Sequence, residues 1–81
     1  MIFYVYILYS PSKDKYYIGQ TENLEKRLSE HIIRKNLGAS DWQLKYNETF
    51  ASRSEVVKRE SEIKKKKRRS YVEWLIENST K

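Results

Sequence analysis

The sequence predicts an α+β domain in which a small three-stranded antiparallel sheet is flanked by helices, in the order ββαβαα. Three observations carry this. IFYVYILY, residues 2–9, is an unbroken run of eight apolar and aromatic residues, too short for a buried helix and rich in the ring and β-branched side chains that favour strands. WQLKYNETF, which begins at Trp42, alternates apolar and polar side chains with a period of two. Between and after these stretches, apolar residues recur at the three- and four-residue intervals that one face of a helix requires.

The first run forms a central strand. SPSKDK then supplies proline, serine and aspartate for a turn, and YYIGQ returns as a second strand, so residues 2–20 read as a β-hairpin. Gly19 marks a bulge or a close backbone approach. From Thr21 the pattern changes: Thr21 is placed to cap a helix, Glu22 favours the positive end of its dipole, and Leu24, Leu28 and Ile32 recur every four residues. This predicts a helix over 22–34. After NLGAS, the alternating stretch puts Trp42, Leu44, Tyr46 and Phe50 on one strand face and Gln43, Lys45, Asn47 and Thr49 on the other. Ser52 with Glu55 reads as a capping box that opens SEVVKRESEIKKKKRR, where Val56, Val57 and Ile63 share a stripe. Ser70 with Glu73 reads as a second box, opening a short helix whose Tyr71, Trp74 and Leu75 are placed to cover the core.

Composition bounds the chemistry. Eighty-one residues make one domain, residues 1–81, with a small core. With no cysteine and a single histidine, thiolate metal sites and sites built from several imidazoles are excluded, so any metal must be held by oxygen. The apolar N-terminus lacks a basic leader and a cleavage pattern, and no apolar run approaches the roughly 20 residues that span a bilayer; a soluble, cytoplasmic protein without a membrane partner is expected. Seventeen Lys and Arg against eleven Asp and Glu leave a net charge of +6, which suits a polyanion.

Several side chains stand out from this frame. Arg27 and His31 are four apart on the first predicted helix, beside the leucine row that must face the sheet. Taken alone, Arg27 is as well explained by pairing with Glu30, and His31 by a solvated boundary position. Tyr6 lies in the middle of the first strand and Tyr17 in the strand that hairpins back onto it, which brings two phenols into cross-strand range. Glu60 falls four after Val56 and three before Ile63, inside a stripe that ought to be apolar; a carboxylate there must be paired with a base or hold a cation. Nine of the seventeen basic residues lie between 53 and 69, among them Lys58, Lys64, Lys65, Lys66, Lys67, Arg68 and Arg69, and this concentration points to phosphate contact.

These residues together resemble the GIY-YIG nuclease superfamily, specifically the small stand-alone bacterial proteins related to the nuclease module of the excision-repair endonuclease subunit and of homing endonucleases. The likeness runs from about residue 2 to residue 76. The first motif is degenerate, Tyr4-Val5-Tyr6, with tyrosine where the family has glycine; the second is intact, Tyr17-Ile18-Gly19, and is followed by Gln20 where some members carry lysine. Arg27 and His31 fall where the family keeps its helix arginine and, a turn later, a histidine or tyrosine. The pattern places the family's metal-binding glutamate at Glu60.

The resemblance implies a metal-dependent DNA endonuclease, structure-selective and serving repair or recombination, with Tyr6, Tyr17, Arg27, His31 and Glu60 as catalytic residues and Glu60 the protein ligand to Mg²⁺ or Mn²⁺. Arg27 would grip the scissile phosphate through its planar fork, and Tyr6 or Tyr17 would orient and deprotonate the water, with His31 as relay. A monomer is expected, with DNA as partner and RNA a second candidate. The alternative is a nucleic-acid-binding module of the same fold with little or no cleavage, for which the degenerate first motif speaks.

Overall fold

Phe3–Ser10 forms β1, and its central place in the sheet follows from side chains that are apolar on both faces. The computed structural model describes residues 1–33, 41–66 and 68–78, the side chains of 31–33 excepted. Lys15–Thr21 forms β2, Leu24–Ile33 α1, Gln43–Phe50 β3, Arg53–Lys66 α2 and Arg69–Asn78 α3. The sheet order is β2-β1-β3, antiparallel throughout, so the predicted α+β architecture and ββαβαα order are what the chain adopts. Among the described residues no helix is long and apolar enough to cross a membrane.

The two sheet faces bury two cores. Phe3, Val5 and Ile7 meet Val56 and Ile63 of α2 and Val72 and Leu75 of α3, with Ile18, Tyr46 and Phe50 packed against them. Tyr6 and Leu8 point to the other face, where Trp42, Tyr17, Leu44 and the α1 residues Leu24 and Leu28 cover them. The central strand therefore stabilises both layers, and this is why its run is continuous rather than alternating.

The strand β3 departs from the sequence expectation. Ile7 pairs with Tyr46 and Leu8 with Leu44, so one extra residue, Lys45, is accommodated in a bulge. The bulge splits the expected single apolar face: Trp42 and Leu44 join the α1 side, whereas Tyr46 and Phe50 join the α2 side. The alternation through Trp42, Leu44 and Tyr46 is uninterrupted, and nothing in it marks the slip.

Capping also differs in two places. Asn23, not Thr21, caps α1: its Oδ1 accepts the Lys26 N–H at 3.0 Å. Thr21 remains the last paired residue of β2, and its Oγ1 accepts the Asn23 N–H at 3.1 Å, tightening the turn between strand and helix. Ser52 caps α2 as expected, with its Oγ accepting the Glu55 N–H at 3.3 Å and donating to Glu55 Oε1 at 2.9 Å. The second box does not form. The helix α3 starts at Arg69, the Arg68 carbonyl accepts the Tyr71 and Val72 N–H groups, and Glu73 turns instead to Arg69 and Tyr16. Two apolar residues placed on the core by sequence face out: Val57 is 42% exposed and Trp74 55%, the latter stacked on Tyr71 at 6.2 Å between centroids.

Candidate active site

Edge strand β2 and central strand β1 build one wall of the site. Tyr6 pairs with Gly19, and a Cβ on Gly19 would fall 2.6 Å from the Tyr6 hydroxyl oxygen and 2.8 Å from its Cζ. The glycine expected as a bulge or a close approach is the second of these, since the phenol of Tyr6 occupies the space a side chain would need. Tyr6 itself is 1% exposed. Tyr17 lies on the same face two residues before Gly19, its ring 6.2 Å from that of Tyr6 and tilted 44° to it, and it remains half-buried. On its other side Trp42 presents an edge at 6.4 Å. Sequence reasoning read Trp42 only as a sheet residue; the bulge in β3 is what turns it toward Tyr17.

From α1, Arg27 reaches this wall. Its guanidinium lies close enough to the hydroxyls of Tyr6 and Tyr17 to act on them electrostatically, and its Nη1 donates to Glu30 Oε1 at 3.3 Å. Pairing with Glu30 and reach to the phenols thus coexist. Burial pushes the Tyr6 hydroxyl above its usual pKa, and Arg27 draws it partly back, while the Tyr17 phenol and the Glu60 charge push it up. Arg27, acted on chiefly by Tyr6, is held even more firmly in its charged form.

Glu60 approaches from α2. Its side chain is 19% exposed, as its place in the apolar stripe predicts, and its Oε2 lies 3.4 Å from Lys64 Nζ one turn on. The carboxylate is close enough for its charge to bear on Tyr6. Tyr6, Tyr17, Arg27 and Glu60, contributed by β1, β2, α1 and α2, are therefore gathered together. His31 belongs to α1 one turn beyond Arg27, but its side chain lies outside the described residues.

The basic residues separate by environment. Lys58, Lys65, Lys66 and Arg68 are exposed, with Lys66 Nζ 5.4 Å above the Tyr71 ring, and Lys67 lies outside the described residues. Lys64 faces Glu60. Arg69 already has carboxylate partners: its Nη2 is 2.5 Å from Asp14 Oδ1, its Nε 3.2 Å from Glu73 Oε2, and its guanidinium stacks 5.2 Å over Tyr16. It ties the hairpin turn to α3.

One cluster escaped the sequence reading. Glu48, on the inward-facing set of β3, accepts two hydrogen bonds from Arg59, Nε at 3.1 Å and Nη2 at 2.9 Å, and a third from the Tyr46 hydroxyl. The signal was present: a carboxylate at an inward strand position demands a partner, by the same logic that marked Glu60. Arg59 precedes Glu60 in α2, so this fork fixes the helix next to the candidate metal ligand.

The GIY-YIG catalytic domain model matches residues 2–72. Among solved structures, the chain is similar to the UPF0213 protein BH0048 from Bacillus halodurans, determined by solution NMR, with 28% sequence identity over 95% of this chain and 84% of that one and a TM-score of 0.61. No curated protein gives a significant match. The family match takes in the whole sheet, both tyrosine motifs, the arginine helix and the glutamate helix, and the chain belongs to the GIY-YIG family of nuclease domains.

Proposed function

We propose that this chain is a divalent-metal-dependent endonuclease that hydrolyses phosphodiester bonds in DNA. The observation that carries the reading is the pair of neighbouring phenols, Tyr6 and Tyr17 with rings 6.2 Å apart, that lies within electrostatic reach of the Arg27 guanidinium, Tyr6 also being within reach of the Glu60 carboxylate.

Mg²⁺ or Mn²⁺ fits the donor set. The carboxylate that would hold it is Glu60, which faces the exposed Lys64, while the Glu30 carboxylate at the same wall is taken by Arg27. A small hard cation that keeps most of its water and takes substrate oxygens needs little more. When bound, such an ion supplies neutralisation of phosphate charge and acidification of water.

The protein groups divide the remaining work. Arg27, whose side chain is 42% exposed while its charge acts on both phenols, presents its free edge to the scissile phosphate and neutralises charge developing on it. Tyr17, the more accessible phenol, orients the attacking water and, acting as the phenolate beside the positive charge of Arg27, receives its proton. Tyr6, buried under Gly19 with its pKa raised, stays protonated and acts as a positioning residue that holds Arg27. His31, next along α1, is assigned the relay of the proton. Lys58, Lys64, Lys65, Lys66, Lys67 and Arg68 supply phosphate contacts. Such contacts read the backbone rather than base edges, and this favours a structure-selective role of the kind met in repair or recombination.

The test is cleavage of a panel of duplex, flapped, branched and single-stranded DNA in Mg²⁺ or Mn²⁺. The reading expects cutting that EDTA abolishes and excess metal restores. Salt-dependent binding without cutting would establish the non-catalytic binding module instead.

A further inference from the structure

Glu60 already carries a cation of the protein's own. Its Oε2 lies 3.4 Å from Lys64 Nζ, one turn on in α2. The order is the favourable one for such a pair, with the glutamate first and the lysine four residues later. The partners differ in burial. Glu60 is 19% exposed, four residues after the buried Val56 and three before the buried Ile63, whereas Lys64 is 54% exposed. A carboxylate so placed is costly without a counter-charge, while an ammonium on a flexible, exposed stem leaves easily.

The neighbouring cations have acids of their own. Arg59, the residue before Glu60, is held by Glu48 at 2.9 Å and lies 3.9 Å from Glu62, the next carboxylate of the helix. Arg27 pairs with Glu30 at 3.3 Å. Lys64 is therefore the cation that a metal on Glu60 has to contest.

The carboxylate cannot serve both at once. Oxygen ligands lie about 2.0–2.1 Å from Mg²⁺, so an ion on Oε2 would stand within about 5.5 Å of Lys64 Nζ in its present place. Like charges at that distance repel strongly in a partly buried setting. On the reading of Glu60 as the metal ligand, we infer that Lys64 is its exchangeable counter-ion. It occupies the carboxylate in the metal-free protein, swings out to solvent when the metal enters, and so sets the metal concentration at which the site fills. Lys64 acts through Glu60 and is a positioning residue, not a catalytic one.

The test is Mn²⁺ titration of the whole protein without DNA, with the free ion read by electron paramagnetic resonance. Wild type is compared with Lys64→Ala, with Lys64→Gln, which keeps most of the stem, with Lys65→Ala, which removes the exposed charge of the next residue, and with Glu60→Ala. Circular dichroism melts check that each variant is folded. The inference expects both Lys64 variants to bind Mn²⁺ roughly two- to fivefold more tightly than wild type, the worth of a surface ion pair. Lys65→Ala should match wild type, Glu60→Ala should bind far more weakly, and Lys64→Ala should bring no gain once residue 60 is alanine. Mg²⁺ added to wild type should shift the NMR signals of the Lys64 side-chain methylenes. Unchanged or weaker binding by the Lys64 variants, an equal gain from Lys65→Ala, or an affinity that Glu60→Ala leaves intact would each overturn it. A parallel Mn²⁺ cleavage assay separates the two proposals: metal-dependent cutting with no gain at Lys64 keeps the nuclease and removes the counter-ion, whereas the gain at Lys64 without cutting does the reverse.

Discussion

Tyr6 lies across Gly19, so that a methyl group on the glycine would come within 2.6 Å of the phenol oxygen. The two residues are cross-strand partners, and each explains the other. Gly19→Ala must push the Tyr6 ring off its place and with it Arg27. Overpacking of this kind costs about 1–3 kcal/mol. The expected outcome is a lower denaturation midpoint together with loss of DNA cleavage; a variant as stable and as active as wild type would show that the ring moves freely.

The roles given to the two phenols separate by substitution. Tyr17→Phe removes the accessible hydroxyl and should abolish most turnover while leaving the melting temperature and DNA affinity near wild type. Tyr6→Phe leaves Arg27 without a buried partner, so both the position of the guanidinium and the pH profile of cleavage should change. Steady-state cleavage with separately measured binding checks this, and the opposite ranking would transfer the water-activating role to Tyr6. Arg27→Lys, which keeps charge and loses the fork, should still depress turnover strongly.

Arg59 and Glu48 form a forked pair, each about a quarter exposed, that joins α2 to β3. Arg59→Ala would strand the carboxylate against Tyr46 under the helix. The expected loss is about 1–3 kcal/mol, the cost of a partly buried polar group without its partner. Tryptophan-monitored urea unfolding measures it, and a loss below a few tenths would reduce the fork to a surface ion pair.

Stability should fall at both ends of the pH scale for identifiable reasons. Arg69 and the Tyr9 hydroxyl hold Asp14 down to about 2 from an ordinary 3.8, so its contribution is present above that ordinary value and is lost as pH drops toward 2. Asp14→Asn should flatten this acid limb without disturbing the turn, because asparagine tolerates the positive φ of 52° found there. At the alkaline end, burial and Glu48 push Tyr46 up to about 12. The unfolded chain releases that proton near 10 while the fold retains it, so stability declines between pH 10 and 12, and Tyr46→Phe should lessen the decline. Thermal melts across pH decide both.

Periodicity and punctuation made the order of elements legible, because both report local geometry directly: an eight-residue apolar run, a turn with its Pro and Asp, and leucines every four residues. The anomaly at Glu60 was legible for the same reason, as a charge in a stripe that burial governs. What was not legible depends on pairing. The Lys45 bulge moves Trp42 and Leu44 to a different face from Tyr46 without altering the alternation itself. Asn23 takes the cap from Thr21 because Thr21 is still held in the β2 ladder, and Glu73 leaves the expected box because Arg69 and Tyr16 compete for it. Each is a tertiary contact overriding a local preference.

The most direct measurement compares wild type with Glu60→Ala and Arg27→Ala in Mg²⁺- or Mn²⁺-dependent cleavage of duplex, flapped, branched and single-stranded DNA, all three proteins purified side by side and their DNA binding measured in EDTA. The account predicts cleavage by wild type that both variants lose while they still bind DNA. Equal traces of cutting in all three preparations would contradict it, since the activity would then owe nothing to the site that these residues form.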